Sequence, residues 1–326
     1  MEFKEFLEEW NNDENFIRAH TSGSTGCPKE ILLPKYFVKE SAKRTNEYFG
    51  IRKNSWLHSC VAADFIGGKM MAVRAEIARA IFTYEKPTNK PLQNLTHGTE
   101  IDLIAVVPSQ VPFIIENKDV LPKIRNLLVG GSPIHPQLRK KIVESGINAY
   151  ESYGMTETAS HIALRKILDE ETPFKLLPNI SITYDKDNCL VINFEDKTEI
   201  YTNDIVELVS NTEFFIRGRR DHIIITGGRK VNPVEIESRI SHLLNQPFLI
   251  TGVPDEKWGE KVIMMIEGHN KDNNLRKNLN DILEKWQVPK DIFHVPTLPR
   301  TANGKLMRIK DLSFLSSFDP DNNLSS

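Results

Sequence analysis

The sequence predicts an α/β protein with a large amino-terminal domain and a small α+β carboxy-terminal domain. Up to about residue 150, apolar runs of strand length alternate with segments of helical length, which is typical of a mixed or parallel sheet covered by helices. From about residue 174, short alternating runs separated by Asp, Asn and Lys predict a β sub-sheet. A second compact unit follows the charged run at 217–222. We therefore predict domains at residues 1–221 and 222–315 and a disordered Ser/Asp/Asn-rich tail at 316–326.

The elements of the large domain follow from their periodicity and from the residues that interrupt it. An acidic, amphipathic helix is predicted at 2–10, and the Asn-rich run after it ends the helix. Strands predicted at 16–20 and 31–33 flank a Gly/Ser/Thr-rich loop. The alternation continues with predicted helices at 35–49, 65–79, 109–116 and 136–144, and with predicted strands at 56–61, 101–107, 126–129 and 147–150.

The second half of the chain is predicted from shorter patterns. The sub-sheet strands are expected at 180–184, 189–194, 205–209 and 214–216. In the small domain we expect helices at 233–244 and 275–285 and strands at 248–253 and 261–267.

Charge and composition restrict the function classes. The formal net charge of −2 argues against a general binder of nucleic acid or of other polyanions. The amino terminus lacks the features of a signal peptide, and no apolar stretch approaches the length of a membrane span. Cys27, Cys60 and Cys189 lie far apart and match no zinc or disulfide spacing, which suits a reducing compartment. We expect a cytoplasmic protein without membrane insertion.

The run from Thr21 to Lys29 is the segment around which the chain is organised. Its glycines let backbone N–H groups approach a phosphate, its hydroxyl groups add donors, and Lys29 adds a positive charge. The run is not a Walker loop, because Cys27 and Pro28 separate Gly26 from Lys29. A flexible turn without a ligand is the alternative interpretation of this loop alone.

Further segments carry groups that suit a nucleotide. A predicted strand ends in the double-glycine turn at 130–133, and the run at 150–158 follows another predicted strand end, where open sheets bind ligands. In that run Tyr153 can stack on a base, and Glu157 can hold a magnesium ion. The other segments lie at 201–204, 218–221, 223–237 and 299–305.

Taken in this order, the segments from Thr21 to Arg308 resemble those of the adenylate-forming superfamily of acyl- and aryl-CoA synthetases. The resemblance implies the adenylate-forming enzyme fold, shortened at the amino terminus, and a two-step reaction. A carboxylate attacks the α-phosphate of ATP, which gives an acyl-adenylate and pyrophosphate; a thiol then displaces AMP and forms a thioester. The implied substrates are a small-molecule acid, ATP and CoA, with Mg²⁺ required and no permanently bound cofactor. A homodimer is left open.

The resemblance also implies a role for each matching residue. Lys305 would bridge the carboxylate and the α-phosphate, where a positioned cation stabilises the transition state. Thr156 would contact the α-phosphate, and Glu157 would hold the magnesium ion. The residues assigned to the β- and γ-phosphates are Thr21, Ser22, Gly23, Ser24, Thr25, Gly26 and Lys29. Those assigned to adenosine are Gly131, Ser132, Pro133, Tyr153, Gly154 and Met155 for the base and Asp204 and Arg219 for the ribose.

In this family the small domain moves about a hinge between the two half-reactions. The resemblance assigns Asp221 and His222 to the hinge and Gly227 and Gly228 to the CoA site. Three departures from the family pattern stand out. His222 occupies a position where Asp or Lys is usual, Glu30 follows Lys29 where Gly is usual, and only the first 20 residues precede the loop. The last departure is expected to open one side of the acyl pocket.

The residues after Glu157 resemble those of family members that activate o-succinylbenzoate in menaquinone biosynthesis. That acid carries two carboxylates, so its pocket needs a cation or several donors for the carboxylate that does not react. The predicted acyl-site residues are His58, Ser160, His161 and Arg165.

Several alternatives stay open. The enzyme alternatives are a CoA ligase for another aryl or short-chain acid and an adenylation enzyme that loads a carrier protein. The alternative outside the enzyme class is a degenerate nucleotide-binding module. A nucleic-acid patch around the arginines at 217–229 is disfavoured, because aspartate, isoleucine and glycine interrupt it.

Overall fold

The computed structural model describes residues 1–21, 29–93, 100–117, 119–268, 274–301 and 306–308 of the chain. The chain divides into two compact units. The first comprises Met1–Thr183, Ile192–Ile200 and Leu208–Phe215, and the second comprises Tyr184–Val191, Tyr201–Glu207 and the chain from Ile216 onward. The domain division after residue 221 stays a prediction, and the predicted tail at 316–326 lies outside the described residues. In the described part of the chain, no helix is both long enough and apolar enough to cross a bilayer.

The predicted helices are confirmed within a few residues at each end. Within the described ranges the α-helices are α1 (Phe3–Trp10), α2 (Lys35–Phe49), α3 (Ile66–Ala78), α4 (Val111–Glu116), α5 (Pro136–Ser145), α6 (Pro233–Ile240) and α7 (Leu275–Ile282).

The strands of the first half are β1 (Phe16–His20), β2 (Glu30–Pro34), β3 (Trp56–Ser59), β4 (Ile81–Tyr84), β5 (Leu103–Val106), β6 (Leu127–Val129), β7 (Ala149–Met155), β8 (Ser160–Lys166) and β9 (Phe174–Leu176). Those of the second half are β10 (Ile180–Tyr184), β11 (Cys189–Phe194), β12 (Glu199–Leu208), β13 (Glu213–Arg219), β14 (Ile224–Thr226), β15 (Arg229–Val231), β16 (Phe248–Asp255), β17 (Gly259–Glu267) and β18 (Asp291–Val295).

The main sheet has the strand order β10-β11-β12-β13-β9-β8-β7-β6-β5-β3-β4. The five strands from β7 to β4 pair in parallel, whereas β8 is antiparallel to both β7 and β9. Every residue of β5 and β6 is buried, so both faces of this parallel part are covered. On one face, Val111 and Ile114 of α4 and Ile142 of α5 share a core cluster with Ile104 and Leu127. The predicted helix-covered mixed sheet is confirmed.

The smaller sheet lies within the second unit. It has the order β15-β14-β17-β16, and β18 adds to β17 in parallel. Strands β16 and β17 form a long antiparallel hairpin. Ile236 of α6 and Leu279 of α7 share a buried cluster with Ile250 and Met264 of this hairpin. The predicted small α+β part is thus confirmed.

The sequence did not predict β4, β8, β9, β14, β15 or β18. Two of these follow turns that lack the usual glycine or asparagine signal. Helix α3 ends at Ala78, and its C-cap residue Arg79, which has a left-handed φ of 53°, lies two residues before the start of β4. Ala159 and Ser160 have φ of 50° and 89° at the turn before β8. A left-handed backbone at these residue types gives little local sequence signal.

Candidate active site

Thr21 and Lys29 close the base of the antiparallel β1–β2 hairpin, which carries the predicted phosphate loop. The backbone N–H of Thr21 donates to the Lys29 carbonyl at 3.0 Å, and the backbone N–H of Lys29 donates to Thr21 Oγ1 at 3.2 Å. The Lys29 side chain is exposed. The predicted phosphate ligands between these two residues lie outside the described residues; they are Ser22, Gly23, Ser24, Thr25 and Gly26.

Thr156 connects this hairpin to the turn between β7 and β8. Its Oγ1 donates to the carbonyl oxygen of His20 at 3.2 Å, one residue before Thr21. The structure therefore brings together two segments to which the sequence assigns phosphate contacts. The next residue, Glu157, is exposed, and its carboxylate offers the hard oxygen ligands that Mg²⁺ prefers.

Gly154 is required by the close approach of β8 to β7. A Cβ at this position would lie 2.2 Å from the Ser160 carbonyl oxygen, next to a β-bulge after Tyr153. The Tyr153 ring is buried, with its centroid 5.3 Å from that of Phe214 and 5.9 Å from that of Phe174. Tyr153 thus belongs to an aromatic cluster, and its contact with adenine stays a prediction.

The double-glycine turn lies beside this segment. Parallel pairing of Val129 with Glu151 places the residues after β6, Gly131, Ser132 and Pro133, at the same sheet edge as Tyr153, Gly154 and Met155. Gly131 has φ of 87°, which favours glycine. The carboxylate of Glu151 accepts the backbone N–H of Ile134 at 3.3 Å and fixes the exit of the turn.

Arg219 bridges two carboxylates in the second unit. Its Nη1 donates to Asp204 at 2.8 Å, and its Nε and Nη2 donate to the two oxygens of Asp221, both at 2.9 Å. Burial opposes ionisation of Asp221, but the hydrogen bonds and charge of Arg219 outweigh it and lower the pKa of that carboxyl. His222 Nε2 lies 3.9 Å from Asp221. The predicted ribose pair and the predicted hinge residues therefore form one polar group.

Gly227 and Gly228 form the two-residue turn between β14 and β15. Their φ angles are 54° and 77°, and a turn with two positive φ angles favours glycine at both positions. A Cβ on Gly227 would also lie 3.0 Å from the Trp258 ring. The turn geometry alone accounts for both glycines, so their contact with CoA stays a prediction.

Lys305 lies outside the described residues; Arg300 and Leu306, on either side of it, form an isolated antiparallel bridge.

Arg74 of α3 is the most unusual charged residue of the first unit. Its side chain is 1% exposed, and burial lowers the pKa of the guanidinium to about 9, so it remains charged at neutral pH. Its Nη2 donates to Ser160 Oγ at 3.3 Å and to His161 Nδ1 at 3.4 Å. Its Nε is buried without a hydrogen-bond partner. Among the described residues, no carboxylate lies within ion-pair distance of Arg74.

A chain of hydrogen bonds fixes the His161 tautomer. Arginine can only donate, so His161 Nδ1 must accept and Nε2 must carry the proton. Nε2 donates to Thr45 Oγ1 at 3.0 Å, Thr45 donates to the Ser41 carbonyl, and Ser41 Oγ donates to the Ala159 carbonyl. Burial, followed by the charge of Arg74, holds the pKa of His161 well below its ordinary value. His161 is therefore neutral.

The other two predicted acyl-site residues have different partners. Burial lowers the pKa of His58 to about 4, and His58 Nδ1 lies 2.7 Å from Thr83 Oγ1. Arg165 forms ion pairs with Glu151 and Glu171, both at 2.8 Å. The structure thus brings Ser160 and His161 together around Arg74, while Arg165 is neutralised by carboxylates of the chain.

Sequence reasoning missed Arg74. It lies inside the otherwise apolar run from Met70 to Ala75, within the predicted helix at 65–79. The available signal was a charged residue within an apolar helical run, because a charge that such a helix buries needs a partner; α3 buries both Lys69 and Arg74.

Family models and curated proteins match this chain over most of its length. The family model for "AMP-binding enzyme" matches residues 5–203, and the model for "AMP-binding enzyme C-terminal domain" matches residues 248–305. A 2-succinylbenzoate–CoA ligase of Listeria monocytogenes is 28% identical over 338 residues, which cover 94% of this chain and 71% of that protein. Its Bacillus cereus counterpart is 25% identical over 338 residues, covering 92% and 70%.

Solved structures show the same fold. The acyl-CoA synthetase (AMP-forming)/AMP-acid ligase II-like protein of Dyadobacter fermentans is 30% identical, with a TM-score of 0.62 over 96% of this chain and 93% of that chain. The O-succinylbenzoate coenzyme A synthetase of Bacillus subtilis, in complex with ATP and a magnesium ion, is 22% identical, with a TM-score of 0.78 over 89% and 68%. With family models matching most of its length, the chain belongs to the AMP-binding enzyme family.

Proposed function

We propose that this protein is an AMP-forming acid–CoA ligase that activates 2-succinylbenzoate and serves menaquinone biosynthesis. Membership of the AMP-binding enzyme family supports the adenylation step. The similarity to 2-succinylbenzoate–CoA ligases supports a CoA thioester as the product. The observation that carries the choice of acid is the buried Arg74 guanidinium, which has no carboxylate partner among the described residues.

A buried charge without a partner is expensive, and a fully buried arginine is normally paired. In an acid with two carboxylates, one carboxylate reacts with ATP. The other remains free to pair with the Arg74 guanidinium and supplies its missing counter-charge. The planar guanidinium suits bidentate binding of a carboxylate, and Ser160 Oγ, 3.3 Å from Arg74 Nη2, adds a donor. A monocarboxylic acid would leave Arg74 unpaired, so the group selects against such acids.

The first half-reaction forms a bond between a carboxylate oxygen and the α-phosphorus and breaks the bond to pyrophosphate. We assign the β- and γ-phosphates to the β1–β2 hairpin, the α-phosphate to Thr156, and the ribose to Asp204 and Arg219. Glu157 would hold a magnesium ion, which neutralises phosphate charge when bound. Lys305 is assigned to the oxygens on which charge accumulates.

In the second half-reaction the CoA thiolate attacks the acyl carbon, and AMP leaves with the former carboxylate oxygen. We assign the hinge to Asp221 and His222, the CoA channel to Gly227 and Gly228, and the moving part to residues 222–315. The Arg219 bridge supports this proposal, because it couples the ribose ligand Asp204 to the hinge residue Asp221.

The test compares 2-succinylbenzoate with two analogues that each lack one carboxylate, 4-oxo-4-phenylbutanoate and 2-butanoylbenzoate. With ATP and Mg²⁺, we expect pyrophosphate release from 2-succinylbenzoate, and a thioester once CoA is added. The analogue that lacks the reacting carboxylate should release no pyrophosphate, and the analogue that retains it should react on the order of 100-fold less efficiently, because it leaves Arg74 unpaired. Equal reaction with the diacid and with either analogue would refute this assignment, and absence of release with every acid would refute the ligase.

The variant Arg74→Met distinguishes a role in binding the acid from a general loss of enzyme structure. In Arg74→Met the KM for 2-succinylbenzoate should rise at least about 10-fold while the KM for ATP changes little, since the loss of one charged hydrogen bond is worth about 1.5–3 kcal/mol. The preference for the diacid over the analogue that retains the reacting carboxylate should shrink accordingly. A rise in the KM for ATP of the same size would contradict the proposal.

A further inference from the structure

His58, Cys60 and Glu85 converge at the end of strands β3 and β4. One potential metal-ligand atom from each residue lies within 4.8 Å of the other two. Parallel pairing of Ser59 with Tyr84 brings the following residues, Cys60 and Glu85, alongside each other. His58 and Cys60 are 6% and 1% exposed, and Glu85 is partly buried. His58 and Cys60 come from β3 and its end, whereas Glu85 follows β4, 25 residues later in the chain, so cysteine spacing in the sequence did not reveal the cluster.

The His58 ring presents an unused nitrogen to this cluster. Its Nε2 is buried and has no hydrogen-bond partner, whereas Nδ1 lies 2.7 Å from Thr83 Oγ1. If Nε2 carried the proton of the neutral ring, a buried donor would be left unpaired. With the proton on Nδ1, the ring donates to Thr83 Oγ1, whose second lone pair accepts the Trp56 Nε1–H at 2.7 Å, and it offers a bare lone pair at Nε2. A histidine that ligates a metal requires this tautomer, with the other nitrogen held by a second group.

The surroundings hold the other two ligands in place. Both carboxylate oxygens of Glu85 accept the backbone N–H of Leu92, at 2.9 and 3.1 Å. Gln110 Nε2 donates to the carbonyl of Cys60 at 3.1 Å and to that of Thr88 at 3.0 Å, which ties the segment after β4 to the end of β3. The cluster is therefore supported by hydrogen bonds outside the ligand atoms.

We propose that His58 Nε2, Cys60 Sγ and Glu85 bind one zinc-class divalent ion, with a fourth position open to water. Thiolate, imidazole and carboxylate form a ligand set that zinc prefers and that magnesium does not. Ligand atoms at about 2.0–2.3 Å from a tetrahedral zinc lie about 3.3–3.8 Å apart, so small side-chain shifts complete the site. On binding, the Cys60 thiol releases its proton to solvent, and the two anionic ligands balance the charge of the ion. The site would cross-link β3 to the end of β4.

The experiment titrates the full-length protein, freed of metal with a chelator, with Co²⁺ as a spectroscopic substitute for zinc. We expect one Co²⁺ per chain, a thiolate-to-cobalt charge-transfer band, and displacement by Zn²⁺ but not by excess Mg²⁺. Cys60→Ser should abolish the band. The matched controls Cys189→Ser and Cys27→Ser should retain it. Thr83→Val, which removes the hydroxyl that contacts His58 Nδ1 and also accepts the Trp56 Nε1–H, should weaken binding about 10- to 100-fold.

A second measurement tests the site without substitution of the two buried ligands, His58 and Cys60, because such variants could misfold. Zn²⁺ should raise the thermal unfolding midpoint of the wild-type protein, because a ligand that binds the folded state stabilises it. In Glu85→Gln, which changes the most exposed of the three ligands, this rise should disappear. Absence of a charge-transfer band in the wild type, a band that survives Cys60→Ser, or an equal zinc response in Glu85→Gln would each overturn the proposal. None of these readouts depends on ligase activity.

Discussion

Arg74 Nη2 donates to His161 Nδ1 over 3.4 Å, and this contact fixes the tautomer of His161. Because the guanidinium can only donate, the proton of His161 lies on Nε2 and points to Thr45. From Thr45 the chain runs through Ser41 to the carbonyl of Ala159, in the turn that follows Thr156 and Glu157. The proposed acyl-binding cation and the proposed phosphate and magnesium ligands are therefore linked through one buried network within the first unit.

The free protein should become more stable when the unpaired charge is removed. Arg74→Met keeps an unbranched side chain as long as the arginine side chain up to Nε, and it eliminates the desolvated guanidinium. We expect the free energy of unfolding to rise by about 1–2 kcal/mol without substrate, because burial of an unpaired charge costs more than the lost hydrogen bonds return. Chemical denaturation with and without 2-succinylbenzoate measures this change. Strong destabilisation of the free variant would show that Arg74 is a structural residue.

Protein stability should decrease below the ordinary pKa of histidine because of His161. Its folded-state pKa is lowered, so the unfolded chain binds a proton as the pH falls through about 6.5 while the folded protein does not. The free energy of unfolding should therefore fall with decreasing pH; His161 contributes a slope of up to about 1.4 kcal/mol per pH unit, and His58, whose pKa is lowered to about 4, contributes a second slope of the same sign. His161→Gln should flatten this slope, whereas the exposed His242→Gln should not. Identical slopes in the two variants would contradict this account.

Two neighbouring glycines of α3 should respond differently to the same substitution. A Cβ on Gly68 would lie 2.2 Å from the Ala62 carbonyl oxygen, whereas a Cβ on Gly67 would meet its nearest atom, in Val61, at 3.8 Å. Gly68→Ala should therefore destabilise the protein by about 1–3 kcal/mol. Gly67→Ala should stabilise it by about 0.5–1 kcal/mol, because alanine favours helix. Denaturant unfolding of both variants provides the comparison, and a similar change in both would refute the packing argument.

Local patterns predicted much of the fold because its helices are amphipathic and bounded by clear signals. Helix α2 begins directly after Pro34 and ends before Gly50 in the left-handed conformation, and its predicted bounds are confirmed. Strand β8 was missed because its entry turn uses Ala159 and Ser160 at positive φ, where glycine or asparagine is the usual signal. A sequence pattern detects only residue types, whereas the positive φ angles of Ala159 and Ser160 are imposed by tertiary contacts.

The residues of the candidate site also differ in whether the sequence alone could single them out. Ser160 and His161 could be singled out from sequence because they follow a recognisable motif. Arg74 and Glu85 could not, since their importance lies in what surrounds them: an apolar helix that leaves a charge unpaired, and a parallel strand pair that places a carboxylate beside Cys60. Such neighbours are far apart in the chain and become visible only in three dimensions.

The Arg219 bridge should be sensitive to exchange of arginine for lysine. Arg219 makes three hydrogen bonds to Asp204 and Asp221, and a single ammonium group cannot reproduce this fork. We expect Arg219→Lys to destabilise the protein by about 1–3 kcal/mol and to raise the KM for ATP. The matched control is Arg217→Lys, two residues earlier, whose pair with Glu207 is largely exposed and should matter by less than about 0.5 kcal/mol.

The pH dependence of the stability difference between Arg219→Lys and Arg217→Lys shows whether this difference arises from the pairing of Arg219 with Asp221. Arg219 lowers the folded-state pKa of Asp221 below the ordinary 3.8, so the stabilisation is present above that pH and is lost as the pH falls through the lowered value. Unfolding of both variants at neutral and at strongly acidic pH should therefore show that the penalty of Arg219→Lys shrinks in acid, while the small effect of Arg217→Lys stays small. A penalty that persists unchanged in acid would mean that lost packing of the arginine side chain, rather than its pairing with Asp221, destabilises the variant.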